Sequence, residues 1–198
     1  MKPTVMLITA LSCAASPVLA GGPVVIPADP VVMAPSPPPA LDWTGPYAGA
    51  QLGWGWASIV ESGDPDIDGD GYVGGLHLGY NRDFGSIVAG IEVDYNLANI
   101  EFDNGDADAT INTLAHLKLR AGFDTGSTLL YLAGGVARAE ADGGASGTGP
   151  FYGLGIEHRF SPRLSGGAEY LVHSFDDFYS GGINLEVQTL QARLSFHF

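Results

Sequence analysis

Beyond residue 42 the chain alternates apolar side chains with polar residues or glycine in segments of roughly ten residues, the period-two pattern of strands whose two faces meet different surroundings. In "YAGAQLGWGWA", Ala48, Ala50, Leu52, Trp54 and Trp56 share one face, while Gly49, Gln51, Gly53 and Gly55 share the other. "YVGGLHLGYN" sets Leu76, Leu78 and Tyr80 against Gly75, His77, Gly79 and Asn81. "VAGIEVDYNL" sets Ala89, Ile91, Val93, Tyr95 and Leu97 against Gly90, Glu92, Asp94 and Asn96. In "INTLAHLKLRAGF", Ile111, Ala115, Leu117, Leu119 and Phe123 face away from Asn112, His116, Lys118 and Arg120. "LLYLAGGVA" is a fifth strand, but its near-uniform apolar and glycine content leaves its phase open. "FYGLGIEHRF" places Tyr152, Leu154, Ile156 and Phe160 opposite Gly153, Gly155, Glu157 and Arg159. "LSGGAEYLVHS" places Leu164, Ala168, Tyr170 and Val172 opposite Gly167, Glu169 and His173. The last strand, "LQARLSFHF", carries Leu190, Ala192, Leu194, Phe196 and Phe198 on its apolar face.

Eight strands are therefore expected, and the segments joining them alternate in length. "RDFGS", "DTGS" and "SPR" are tight, whereas the stretches around 58–71, 98–109, 139–149 and 175–184 are long, glycine-rich and acidic. Short turns at one end and long loops at the other are the pattern of an antiparallel transmembrane barrel, in which the short turns lie in the periplasm. An even strand number returns both termini to that side.

Charge decides which face meets lipid. Lys118, Arg120, Arg159 and Arg193 all fall on the polar phase, beside Glu92, Asp94, Glu157 and Glu169. A Lys or Arg turned to the lipid costs about 2–4 kcal/mol at the bilayer midplane. Turned inward, these eight residues form an ion-paired lumen. Trp43, Trp54, Trp56, Tyr80, Tyr95, Phe123, Tyr152, Phe160, Phe196 and Phe198 gather toward strand ends, as two aromatic girdles would. A soluble β-sandwich is the competing fold, but it buries too many ions and leaves the loop asymmetry without a purpose.

The amino-terminus is of another kind. "MKPTVMLITALSCAASPVLA" has one Lys, an apolar stretch and small Ala20, the layout of a cleavable signal over residues 1–20. "ALSC" has some likeness to a lipoprotein cleavage box, though the apolar run before it is short. Residues 21–42 hold seven prolines and read as an extended tether, leaving 43–198 for the barrel. Cleavage after Ala20 removes the single Cys13, so no disulfide or thiolate metal site is expected. It also removes Lys2, taking the formal charge from −14 to −15, which argues against nucleic acid as a partner.

With these residues in place the chain resembles the eight-stranded outer-membrane β-barrel proteins of Gram-negative bacteria, the porin family or opacity-type surface proteins. "DWTGPYAGAQLGWGWA" after a proline linker, "GLHLGYNRDFGSIVAGIEVDYN", "YGLGIEHRFSPRLSGGAEYL" and the strand ending in Phe198 carry the resemblance. It implies residence in the outer membrane and insertion by the barrel-assembly machinery, with Leu194, Phe196 and Phe198 as the recognised signal. It says little of activity, because the same barrel serves adhesins, integrity proteins and enzymes.

The remaining sequence features point to a non-enzymatic surface protein without a cofactor. "DPDIDGDG" places Asp64, Asp66, Asp68 and Gly69 as in the opening of an EF-hand loop, but the twelfth position is Gly75 rather than a bidentate acid. A weak divalent-cation site at Asp64, Asp66, Asp68 and Asp70 is weighed there against a solvated acidic loop. The long loops carry thirteen acids (Glu61, Asp64, Asp66, Asp68, Asp70, Glu101, Asp103, Asp106, Asp108, Glu140, Asp142, Asp176 and Asp177), and such a rim meets lipopolysaccharide phosphates through bridging divalent ions. "HSFDD" supplies His173, Ser174 and Asp176, but adjacent strand residues point to opposite faces and make no nucleophile–base pair. His77, His116, His173 and His197 read inward and His158 outward. The expected role is structural, in envelope integrity or adhesion; a narrow, cation-preferring channel is the alternative.

Overall fold

Tight turns of the form Asp-x-Gly start the hairpins. Asp83 Oδ1 accepts from the Gly85 amide at 2.7 Å and Asp124 Oδ1 from the Gly126 amide at 2.6 Å. Each aspartate thereby bends its own backbone. Gly85 and Gly126 stand at φ +105° and +90°, a region a side chain disfavours. Phe84 N donates to Ile87 O at 2.8 Å and Thr125 N to Thr128 O at 2.9 Å, closing both turns. They join β2 (Ile67–Asp83) to β3 (Ile87–Phe102), and β4 (Thr110–Asp124) to β5 (Thr128–Ala141). A third short turn, held by the Leu164 amide on Ser161 Oγ, joins β6 (Ser146–Ser161) to β7 (Leu164–Phe175).

The computed structural model describes residues 42–60, 67–102, 110–175 and 184–198. The expected signal and all of the proline tether except Asp42 lie outside them. Each strand pairs antiparallel with the next in sequence, and β8 (Asn184–His197) closes on β1 (Gly45–Val60) with Tyr47 opposite His197. The result is an all-β, eight-stranded antiparallel barrel in meander order.

The two faces are inverted relative to a water-soluble fold. Leu52, Leu119 and Leu132 are 65%, 64% and 68% exposed on the outside, while Lys118 and Glu92 inside are 0% and 1% exposed. The outward apolar run extends from Ile87 to Leu97 on β3 and from Ala115 to Phe123 on β4. A transmembrane strand needs about 9–11 residues, so these runs match the thickness of a hydrocarbon core.

Three details depart from the sequence pattern. Pairing runs well past the apolar band, so that residues 67–71, 98–102, 139–141 and 146–149, expected in loops, belong to strands. Backbone hydrogen bonds carry the ladder on once the outward side chains have turned polar. Ile111 is fully buried rather than outward. A register shift between Ile111 and Thr113 where β4 meets β5, and another between Leu97 and Ile100 where β3 meets β4, slips its phase by one residue. Trp43 belongs to no girdle; it is 0% exposed and sits in the mouth of the barrel at the short-turn end.

Candidate functional site

The interior is filled in three tiers. At the short-turn end Asp42–Thr44 crosses the mouth. Trp43 N donates to Asp83 Oδ2 at 3.1 Å, and its indole Nε1 donates to the Gly126 carbonyl of the β4–β5 turn at 3.3 Å. The Arg159 guanidinium lies 4.5 Å from the Trp43 ring, and the His197 ring meets it edge-on at 5.8 Å. Hydrogen bonds from the Thr44 hydroxyl and amide hold the exposed Asp42 carboxyl below the usual carboxylate range. Asp83 N in turn donates to Thr44 Oγ1 at 3.0 Å, so the crossing segment is tied to β2.

The middle tier is ionic. Glu92 accepts from Lys118 Nζ at 2.9 Å, Arg193 Nη2 at 2.6 Å, Arg120 Nη1 at 3.1 Å and Tyr47 Oη at 2.7 Å. Glu169 accepts from Lys118 at 2.6 Å, Arg193 at 2.7 Å and Tyr131 Oη at 2.9 Å. Glu157 accepts from Arg120 Nη2 at 2.7 Å and from Ser165 Oγ at 2.5 Å. Asp94 lies 3.1 Å from Lys118 Nζ, and one of its oxygens takes Asn96 Nδ2 and His116 Nδ1, each at 2.6 Å. The Arg120 guanidinium also stacks 3.9 Å from the Tyr131 ring centroid. A carboxylate taken from water into such a space costs several kcal/mol unless it is paired and its lone pairs are satisfied. Sharing each cation between carboxylates from different strands meets both conditions for Glu92, Glu157 and Glu169, while Asp94 Oδ2 has the Lys118 charge beside it but no hydrogen bond.

Above the ions, toward the long connections, the interior turns apolar. Val73, Ile100, Ile111, Leu114, Phe175, Leu185 and Val187 are buried together with Ala57, Ala137, Ala139 and Ala141. Between the two tiers His116 Nε2 meets His173 Nε2 at 2.8 Å, and His173 Nδ1 donates to the Val187 carbonyl at 2.8 Å. Phe151 packs edge-on to His116 at 4.9 Å.

The structure brings Glu92, Asp94, Lys118, Arg120, Glu157, Glu169 and Arg193 into contact, but it sets Arg159 apart. Arg159 donates to the carbonyls of Asp42 and Pro162 and approaches His197 Nδ1 at 2.9 Å, with no described carboxylate in salt-bridge range. It lies two residues beyond Glu157 along β6, toward the mouth, where the backbone carbonyls of Asp42 and Pro162 are the nearer acceptors. Tyr47 and Tyr131 were not singled out by the sequence, yet both complete the ionic tier. Tyr47 continues the inward phase of Gly49 and Gln51. The phase of Tyr131 follows from pairing across the "DTGS" turn, where it stands opposite inward Gly122.

Leu194, Phe196 and Phe198 line the exterior beside one another, 53%, 43% and 75% exposed. Asp64 and Asp66 lie outside the described residues. Of their neighbours, Asp68 accepts from Ser58 Oγ at 2.7 Å and Asp70 from Trp54 Nε1 at 3.1 Å, and among the described residues no group of three or more His, Cys, Asp or Glu could hold a metal ion. His173 is buried inside the barrel while Ser174 is exposed outside it; Asp176 lies outside the described residues.

The sequence profile of the outer membrane protein beta-barrel domain matches residues 7–198. Among solved structures the chain is similar to Neisserial surface protein A, at 18% identity and a TM-score of 0.54, over 78% of this chain and 98% of that one. It is also similar to Ail, the attachment invasion locus protein of Yersinia pestis, at 17% identity, 77% and 99% coverage and a TM-score of 0.43. OprG from Pseudomonas aeruginosa gives 11%, 80%, 98% and 0.38 in the same order. No protein with a curated description matches the sequence. An apolar exterior of membrane thickness around a closed eight-stranded barrel, together with a profile match over nearly all of the sequence, makes this chain a member of the outer membrane protein β-barrel family of Gram-negative bacteria.

Proposed function

We propose that the protein is a non-enzymatic, non-conducting surface barrel with a structural role in envelope integrity or adhesion, its two termini in the periplasm. The observation that carries this reading is a lumen blocked at three levels: Trp43 across one mouth, the ion-pair tier at mid-height, and the Ile100–Ile111–Leu114–Phe175 layer beyond it. A hydrated ion has no continuous polar path through an apolar layer of that kind. Eight-stranded barrels have room for filling side chains and little else.

At the long-connection end the strands rise past the apolar band and present Asp68, Asp70, Glu101, Glu140 and Glu186 outward, with Arg138 paired to Glu140 at 3.0 Å. This collar supports contact with lipopolysaccharide through bridging divalent cations, since bare carboxylates and phosphates repel. The outward row Leu194, Phe196 and Phe198 on the closing strand is the surface offered to the barrel-assembly machinery during insertion.

The test is the conductance of the refolded full-length chain in planar bilayers. Silence across the applied voltage range is the expected result. A steady small conductance with a cation-selective reversal potential would overturn it in favour of a narrow cation-preferring channel.

A further inference from the structure

A row of hydrogen-bonded groups crosses the lumen between the ionic and apolar tiers. Asp94 of β3 and His116 of β4 stand opposite each other in the ladder, and His116 Nδ1 lies 2.6 Å from Asp94 Oδ1. On its other side His116 Nε2 meets His173 Nε2 at 2.8 Å, on β7, a strand that does not border β4. His173 Nδ1 ends the row on the Val187 carbonyl of β8 at 2.8 Å. All three side chains are buried.

The ends of the row fix its hydrogens. A carbonyl oxygen only accepts, so His173 Nδ1 carries a hydrogen. Asp94 lies 3.1 Å from the Lys118 ammonium and its Oδ1 already accepts from Asn96 Nδ2 at 2.6 Å, which suits an ionised, acceptor-only carboxylate. His116 Nδ1 therefore carries a hydrogen too. A neutral imidazole has one N–H, so two neutral rings would turn bare Nε2 lone pairs on each other at 2.8 Å, a repulsive contact. One additional proton between them makes it an N–H···N hydrogen bond. The surroundings suit the charge this adds. In the ionic tier Glu92, Asp94, Glu157 and Glu169 meet the cations Lys118, Arg120 and Arg193, which leaves that tier one positive charge short. The Phe151 ring lies 4.9 Å from the His116 ring and 5.5 Å from that of His173, within the range at which an aromatic ring attracts a cation. On the other strands around the row, His77 of β2, opposite Asp94, turns to Ser195 Oγ at 2.9 Å, and β5 sets Ala137 opposite His116.

We infer that His116 and His173 form a proton-binding site, in which the two rings share one proton beyond the two that neutral imidazoles carry. The pair is then the fourth cation set against Glu92, Asp94, Glu157 and Glu169. The bound proton ties β4 to β7 across the lumen, and it does so whether or not the barrel conducts.

The test uses the full chain with 15N-labelled histidine, refolded into lipid nanodiscs at pH 8, where a free imidazole is mostly neutral. Ring nitrogen shifts separate protonated from bare nitrogens, and a coupling between the two Nε2 atoms reports a hydrogen bond joining them. The expected result is three protonated nitrogens and one bare one across the pair, or two intermediate Nε2 shifts that sum to one proton, with the coupling present. Two bare nitrogens overturn the site, because the additional proton is then absent or sits on Asp94. Four protonated nitrogens, or no coupling between the Nε2 atoms, overturn it as well, because the rings then share no proton. Asp94→Asn removes the anion at the end of the row and should release the additional proton, leaving two bare nitrogens. A pair that keeps three protons in that variant refutes the part assigned to Asp94. Should Asp94→Asn fail to fold, the wild-type spectrum decides the matter.

Discussion

Replacing Lys118 with methionine removes one charge from the centre of the lumen while keeping nearly the same stem. The ammonium is 0% exposed and lies 2.9 Å from Glu92, 3.1 Å from Asp94 and 2.6 Å from Glu169. At an effective dielectric of about 20 each contact is worth roughly 5–6 kcal/mol of attraction. Much of that is offset by the desolvation of the ammonium itself, which the variant no longer has to bear. What remains is the penalty on carboxylates that stay buried with fewer partners. Glu92 and Glu169 both keep Arg193, whereas Asp94 keeps only His116 and Asn96. Breaking a buried pair from one side costs about 3–5 kcal/mol, and Lys118→Met should fall in that range. Lys118→Met with Glu169→Gln removes a cation and an anion together, so it should recover part of the loss. Equilibrium urea unfolding in lipid vesicles, followed by tryptophan fluorescence, measures both. A single variant within about 1 kcal/mol of wild type, or a double variant showing the simple sum of the singles, would mean that the cation is not holding the carboxylates together.

Trp43→Ala should destabilise the barrel by about 3–5 kcal/mol, as truncation of a fully buried tryptophan does, and should speed hydrogen exchange of inward groups near His197; Trp43→Phe, which loses the bond to Gly126 but keeps a ring under Arg159, should cost less. Gly155→Ala drives a methyl into the Tyr131 ring and should lower the unfolding midpoint, whereas Gly134→Ala, whose added carbon comes no nearer than 3.5 Å to the Phe151 carbonyl, should be tolerated. Leu119→Arg, on the lipid face, should cost about 2–4 kcal/mol in vesicles, while the same change at a position facing water above the apolar band should cost far less. Chelation of divalent ions should weaken binding of the refolded barrel to lipopolysaccharide; unchanged binding would remove the bridging cations from the account.

The fold was legible because strand period, turn residues and the sorting of charge all agreed. Gly85 and Gly126 marked the turns, and the ions sorted cleanly onto one phase. What escaped the pattern did so for local reasons. Ile111 was misplaced because bulges between β3, β4 and β5 shift pairing by one residue, and nothing in "DATINTL" announces them. Trp43 read as a girdle residue because it precedes a strand. Its place is set by long-range partners on the opposite wall, Gly126 and Arg159, which no short window contains. Tyr131 sits in a stretch with no polar marker, but its phase was available by counting pairs back from the "DTGS" turn. Arg159 carried the right phase and the wrong height. Periodicity assigns a residue to a face, but its height along the axis depends on strand tilt and stagger.

Height is also what separates a filled lumen from a conducting one. A barrel with the same inward residues distributed evenly along its axis would offer ions a ladder of charged side chains. Here all the inward charges but Arg159 occupy one level, where three cations from two strands, Lys118 and Arg120 on β4 and Arg193 on β8, are shared among Glu92, Asp94, Glu157 and Glu169. Each carboxylate that turned to follow a passing ion would abandon a buried cation, and leaving a buried charge without its partner is unfavourable. The apolar tier above it then has no charge with which to lower the barrier to dehydration. Both obstacles follow from where inward alanine, valine, leucine and isoleucine are placed relative to inward glutamate and arginine, so on the non-conducting reading proposed above, conversion to a pore requires polar substitutions in the Ile100–Ile111–Leu114 layer as well as loosening of the ion pairs.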